Sequence, residues 1–357
     1  MPLPPAQPQI QHPPSPKLQL PSALLAHRAQ QLSAIRSAAT APADAMDIWG
    51  ISSAKVAGAA KAGQLQPIGS LDHIVKQPSD SLLTVHLPFG SDASLRRQYV
   101  NFRGQLRVGK LLEELDAFAG NCAYAHCDDG DPSTELPTLV TVSLDRLDLL
   151  RYPLKPEEDL KMRGCVTYVG SSSMNVDVDF TTVATNEAVM MASTTFVARN
   201  PRGGGPVSVP RLRAMEDWES RLMEAGRASA ESRRAARSSA LDRVPPTPAE
   251  LATVHQLFME LNAGASDASP PVYMSDTRVT SSELTMPQDR NLHGKIFGGW
   301  MMRRAYETAW IAGWSATGAL PRFLALDDVA FNRPVEVRTR GSVLHAVLRA
   351  RQGVARL

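Results

Sequence analysis

The chain repeats itself, and that repeat restricts its folds more than any other feature. A unit that occurs twice must fold twice, and its copies must meet somewhere. Asn101, Gly104 and Gly109 of NFRGQLRVG have counterparts in Asn291, Gly294 and Gly299 of NLHGKIFGG, each 190 positions further on. The segment after each glycine loop keeps the register. Leu111, Leu112, Leu115, Ala119 and Cys122 match Met301, Met302, Ala305, Ala309 and Ala312, the spacing of one buried helical face. Each helix is followed by a strand, LVTVSLDRLDLL from Leu139 and FLALDDVAF from Phe323, in which Leu144-Asp145 answers Leu326-Asp327. The first copy then supplies three more strand-like runs, MRGCVTYVG, MNVDVDFTTVAT and AVMMASTTFVAR, bounded by Gly, Ser or Asn. One long helix followed by such a run predicts an α+β fold in which an antiparallel sheet wraps around a central helix, present in tandem.

With 357 residues, 43% hydrophobic and 21% charged, the chain has apolar material for two domains of about 100–150 residues each. Residues 1–45 contain no acid before Asp44 and are dense in Pro, Ala, Ser and Gln. They read as an organellar transit peptide or a disordered tail. The first folded unit is expected over 79–200, and a helical linker over 201–271, where PRGGGP breaks the chain and Thr247 is placed to cap a second helix. The second unit is expected over 272–357. It ends about two strands before the first does, so its sheet is expected to be C-terminally incomplete, with an open edge and part of its helix uncovered.

A formal charge of +2 gives no argument for nucleic acid or an anionic membrane as partner, and no apolar run approaches the roughly 18 residues of a membrane span. Cys122, Cys127 and Cys165 read as reduced thiols, and no metal site is expected: His126 and His293 lack partners at ligand spacing. No GxSxG elbow, P-loop or GxGxxG fingerprint is present.

A glycine turn before an amphipathic helix brings a ligand close to backbone N–H groups at the positive end of a helix dipole, which suits an oxyanion. At this point the chain resembles the two-hotdog acyl-coenzyme A thioesterases, and within them the mitochondrial acyl-coenzyme A thioesterase 9 type. The stretches that carry the resemblance are RVGKLLEELDAFAGNCAYAH, VSLDRLDLL with GCVTYVGSSSMNVDVDF, TTFVARNP, TPAELATVHQLFMEL, and PQDRNLHGKIFGGWMMRRAYETAW with FLALDDVAFNRPVEV.

The resemblance implies tandem hotdog domains, hydrolysis of fatty acyl-CoA to free fatty acid and coenzyme A, no cofactor, a homo-oligomer of double-hotdog units, and a mitochondrial or plastid location. It also implies a site shared between copies, with Asp116 as general base and Asn291 orienting water or carbonyl. Helix N-terminal amides around Gly109 or Gly298 and Gly299 would form the oxyanion hole. Burial is expected to raise the Asp116 pKa.

The reciprocal site departs from the pattern, with Tyr306 at the position equivalent to Asp116 and Glu307 next to it, facing Asn101. It is expected to be dead or weaker. Tyr306 and Trp310 read as packing residues. Lys155, Lys161, Arg163 and the run Glu231 to Ser239 are basic enough to reach coenzyme A phosphates, although the run reads better as a solvated helix face. Two other functions are weighed. A hydroxyacyl-thioester dehydratase needs a His-plus-acid pair, which Asn291 and Asp116 do not provide. A non-catalytic acyl-CoA-binding or interaction module has no such objection.

Overall fold

The computed structural model describes residues 66–131, 133–240, 243–262, 274–286, 289, 296–331, 335, 342–346, 349–351 and 354–356. The N-terminal segment read as a transit peptide or tail, and the loop residues Asn291, His293 and Gly294, lie outside the described residues.

Strand β1 (Leu83–Leu87) and the short helix α1 (Ala93–Tyr99) lead into the glycine loop and the 20-residue helix α2 (Val108–Cys127). Four long strands follow: β2 (Thr138–Leu149), β3 (Leu160–Val169), β4 (Ser173–Thr182) and β5 (Ala188–Arg199). All pair antiparallel in the order β1-β3-β4-β5-β2. The sheet curls around α2, whose Leu111, Leu112, Leu115, Phe118, Ala119 and Cys122 are fully buried against Met162, Val176, Phe180 and Met190. This is a hotdog fold, and the helical stripe marked by the repeat is its filling. Residues 66–78 join it too, with Ile68 and Leu71 in the core.

The linker folds onto the outside of this sheet. Helix α3 (Asp217–Ser238) packs on β3 and β4 so closely that a Cβ on Gly226 would lie 2.7 Å from the Thr167 carbonyl oxygen. Its cover explains the alternation in β4. Val176, Val178 and Phe180 face α2, while Asn175, Asp177 and Asp179 face the other way and are nonetheless buried. Arg233 of α3 reaches through to Asp145 and Asn175, and Arg234 to Tyr168. The basic run is therefore tied to the sheet at these two residues rather than solvated throughout. Helix α4 (Pro248–Asn262) starts with a capping box in which Thr247 Oγ1 accepts from the Glu250 amide and Glu250 Oε2 accepts from the Thr247 amide.

In the second copy, β6 (Val279–Glu283) is followed by α5 (Gly298–Thr317), which ends on Gly318 at φ 66°, a left-handed cap that favours glycine. Strand β7 (Ala325–Ala330) then joins the first copy's sheet beside β2. The two equivalent strands run antiparallel, with Leu144 opposite Val329 and Leu147 opposite Leu326 about a centre next to Arg146 and Asp327, which form a 2.8 Å ion pair. Antiparallel pairing of equivalent strands about a point is the signature of a pseudo-two-fold, and α2 packs against α5 in keeping with it. Strand β8 (Ser342–Ala346) pairs with β6 rather than with this sheet. No helix among the described residues is long and apolar enough to cross a membrane.

Candidate active site

The two central helices begin alike. Neither α2, entered through Arg107, nor α5, entered through Phe297, carries a side chain that caps its own N-terminus. The first-turn N–H groups of such a helix need an acceptor from elsewhere. For each helix, an acid on the other helix approaches.

At α5 that acid is Asp116. Its Oδ2 accepts a 2.7 Å hydrogen bond from the Gly299 amide, and its Oδ1 accepts one of 2.9 Å from Thr141 Oγ1 on β2. A Cβ on Gly298 would lie 2.9 Å from Asp116 Oδ2, so glycine there lets the carboxylate meet the helix end. On Gly299 it would lie 2.9 Å from the Glu113 Cα, which makes the second glycine a requirement of helix-to-helix approach. Asp116 is 3% exposed. Burial pushes its pKa up to about 6, against the opposing pull of the bonds from Thr141 and Gly299. An ionised carboxylate offers about four lone-pair positions, so two bonds leave room for water or a substrate proton.

At α2 the acid is Glu307. Its Oε1 lies 3.0 Å from where a Cβ on Gly109 would be, and it accepts from Arg107 at 2.6 Å and Arg303 at 3.2 Å. Arg303 also pairs with Glu113 at 3.0 Å and so ties α5 to α2. Asn101 is in the adjoining loop, where its Oδ1 accepts from the amides of Arg103 and Gln105 and folds the turn that Gly104, at φ 71°, completes. Beside it lies a cavity of about 260 Å³, lined in part by Asn101, Arg107, Tyr306, Glu307 and Trp310. Tyr306 and Trp310 thus face a cavity as well as packing, Tyr306 edge-on to Phe323 at 5.0 Å.

The structure brings Asp116, Gly298 and Gly299 together from opposite copies, and separately Gly109, Asn101 and Glu307. The sequence reading omitted Thr141, the third member of the Asp116 cluster. Its signal lies in the β2 alternation: starting from buried Leu139, the residue two positions on faces the helix, and a hydroxyl at an apolar position calls for an acceptor there. His126 is structural, its Nε2 3.0 Å from the Pro210 carbonyl oxygen and its pKa lowered by burial to about 4. Among the described residues no group of three or more His, Cys, Asp or Glu is placed to hold a metal ion.

No protein-family model matches the chain. It is 34% identical over 275 residues to the mitochondrial acyl-coenzyme A thioesterase 9 of Mus musculus, covering 74% of this chain and 62% of that protein. To the chloroplastic acyl-coenzyme A thioesterase 2 of Humulus lupulus it is 33% identical over 294 residues, covering 77% and 66%. Among solved structures it is similar to an acyl-CoA hydrolase from Staphylococcus aureus in complex with butyryl coenzyme A, coenzyme A and coenzyme A disulfide. That match has 24% identity and a TM-score of 0.40 over 52% of this chain and 98% of the other. The chain spans a little under two thirds of the length of the mouse protein. On the strength of its sequence identity to these proteins, the chain belongs to the family of the mitochondrial acyl-coenzyme A thioesterases 9 and 10.

Proposed function

We propose that the chain hydrolyses acyl-coenzyme A thioesters to free acid and coenzyme A at the Asp116 site. The observation that carries this reading is a buried carboxylate from one hotdog, with its pKa raised to about 6, set on the helix N-terminus of the other. Asp116 takes a proton from a water molecule as its oxygen attacks the thioester carbonyl carbon. The C–S bond then breaks, the acyl group leaves as a carboxylic acid and the sulfur leaves as a thiol once protonated. Thr141 holds Asp116 in place through its 2.9 Å bond.

The developing oxyanion is assigned to the first turn of α5. Because the Gly299 amide is engaged by Asp116, Gly298 takes that role first. Asn291, carried over by position from the family resemblance, orients the water or the carbonyl. The relatives' names support an organelle as the location, either mitochondrion or chloroplast, and acyl-coenzyme A as the substrate class.

Thiol release from short to long acyl-CoA substrates tests the reading, with Asp116→Asn and Asn291→Ala beside the parent. Release by the parent and a loss of two orders of magnitude or more in both variants is expected. No release by a folded parent leaves an acyl-CoA-binding module instead, and an unchanged Asp116→Asn removes the assigned base.

A further inference from the structure

The two sites that the repeat relates are unequal, and the cavity beside Asn101 lies at the one that lacks a counterpart of Asp116. Where α2 carries Asp116, α5 carries Tyr306. Glu307 takes up the position at the Gly109 end, but two guanidiniums occupy Oε1 and a third, from Arg304, stands 3.9 Å from Oε2. Its Oε1 is thus held by guanidiniums from both helices, whereas Asp116 is held by a helix amide and a hydroxyl. Tyr306 keeps its proton, since burial and the nearby Tyr152 and Glu307 raise its pKa well above the usual value.

Its walls say what it binds. Leu106, Tyr152, Leu154, Tyr306, Trp310 and Phe323 make an apolar, largely aromatic interior. The Arg103 guanidinium lies at the same cavity, exposed and 3.3 Å from the Tyr152 hydroxyl, and no carboxylate among the described residues pairs with it. The volume of about 260 Å³ holds about eight non-hydrogen groups at roughly 30 Å³ each. That is enough for a short aliphatic chain and too little for a coenzyme. An apolar interior beside an unpaired cation fits a molecule with an aliphatic body and a negative end.

We propose that this counterpart pocket is a non-hydrolytic binding site for a short acyl chain carrying an anionic group, with the chain between Tyr306, Trp310 and Phe323 and the anion on Arg103. The free carboxylic acid and the acyl thioester of coenzyme A share that chemistry. The choice of an acyl chain over other amphipathic anions rests on the thioesterase reading of the Asp116 site; the cavity and its charge do not.

Calorimetric titration of the full chain in the Asp116→Asn background, with octanoate and with octanoyl-coenzyme A, tests this. Arg103→Ala removes the exposed cation, Leu154→Trp fills the cavity, and thermal melting confirms that both fold. Octanoate binding weakened tenfold or more by both variants supports the pocket with the free acid as its source. A second equivalent of octanoyl-coenzyme A that Leu154→Trp abolishes supports it with the thioester as source. Octanoate binding indifferent to both variants overturns the proposal, as does an absence of octanoate binding with a single equivalent of octanoyl-coenzyme A. Thiol release by the parent is read separately. A Leu154-sensitive site in a chain that releases no thiol overturns the thioesterase reading and leaves the pocket, and the reverse result overturns the pocket alone.

Discussion

The carboxylate of Asp116 and the amide of Gly299 are joined by a 2.7 Å hydrogen bond across 183 positions of chain, so that one copy of the repeat caps the helix of the other. The bond makes the site depend on both copies, and it places a charge where burial disfavours it. A folded-state pKa of about 6 against the ordinary aspartate value of 3.8 means that the native state binds more protons between those limits. Stability therefore falls as pH rises through that window, by about 3 kcal/mol once it is passed. Asp116→Asn removes this cost and keeps both contacts, with its oxygen accepting from Gly299 and its amide donating to a reoriented Thr141 hydroxyl. The variant is expected to be inactive yet at least as stable as the parent at pH 7, with the difference shrinking towards pH 4. Urea unfolding at the two pH values measures it.

The proposed role of Asp116 carries a pH dependence with it. With its ionised form as the base, the kcat/KM for thiol release is expected to rise through about pH 6 and level off above it. Thr141→Val deletes a bond that stabilises the ionised form, so the acid limb moves to higher pH by roughly one unit. A profile that does not move removes Thr141 from the site.

The glycines at equivalent positions differ in what surrounds them. Gly299→Ala drives a Cβ to 2.9 Å from the Glu113 backbone and 2.6 Å from the Phe297 ring, and is expected to destabilise by about 1–3 kcal/mol while lowering activity. Gly109→Ala meets only the Glu307 and Arg303 side chains, at 3.0 and 3.1 Å. The better helix propensity of alanine offsets their displacement, for a net change within about 1 kcal/mol. Paired thermal melts decide between these outcomes.

Arg233 clasps α3 to the sheet by pairing with Asp145, whose side chain is 5% exposed. Arg233→Met leaves that carboxylate buried without its cation, and the Ser143 and Thr195 hydroxyls and, at 3.5 Å, the Asn175 amide nitrogen still donate to it. A loss of about 3 kcal/mol is expected, at the lower end for a broken buried pair. Adding Asp145→Asn is expected to recover more than half of it, and denaturant midpoints of the single and double variants give the answer.

Much of the fold is legible in the chain. The 3.6-residue stripe from Leu111 to Cys122 lies in the core as its spacing predicts, and the three strand-like runs after β2 become β3, β4 and β5. Periodicity is a local signal, so helices and strands of this regularity can be read from it. The contents of the site are less legible. Asp116 is singled out by the resemblance to the two-hotdog thioesterases, but Thr141 lies in a strand whose partner helix is not adjacent in sequence, and nothing in the spacing of Arg107, Arg303 and Glu307 says that they meet.

The sequence by itself determined that there are two copies, where each helix lies and which face of it is apolar, because these follow from short-range periodicity and a constant offset. Only the tertiary structure decided that the copies join through β2 and β7 about a pseudo-two-fold, and that Asp116 reaches a bare helix end. It also decided that Glu307, one position out of register with Asp116, is held by guanidiniums beside a cavity. The reason is physical. The charge and reactivity of a carboxylate depend on its burial and on the donors within a few ångströms, and two of those donors, the Gly299 amide to Asp116 and Arg107 to Glu307, come from chain segments about two hundred residues away in sequence.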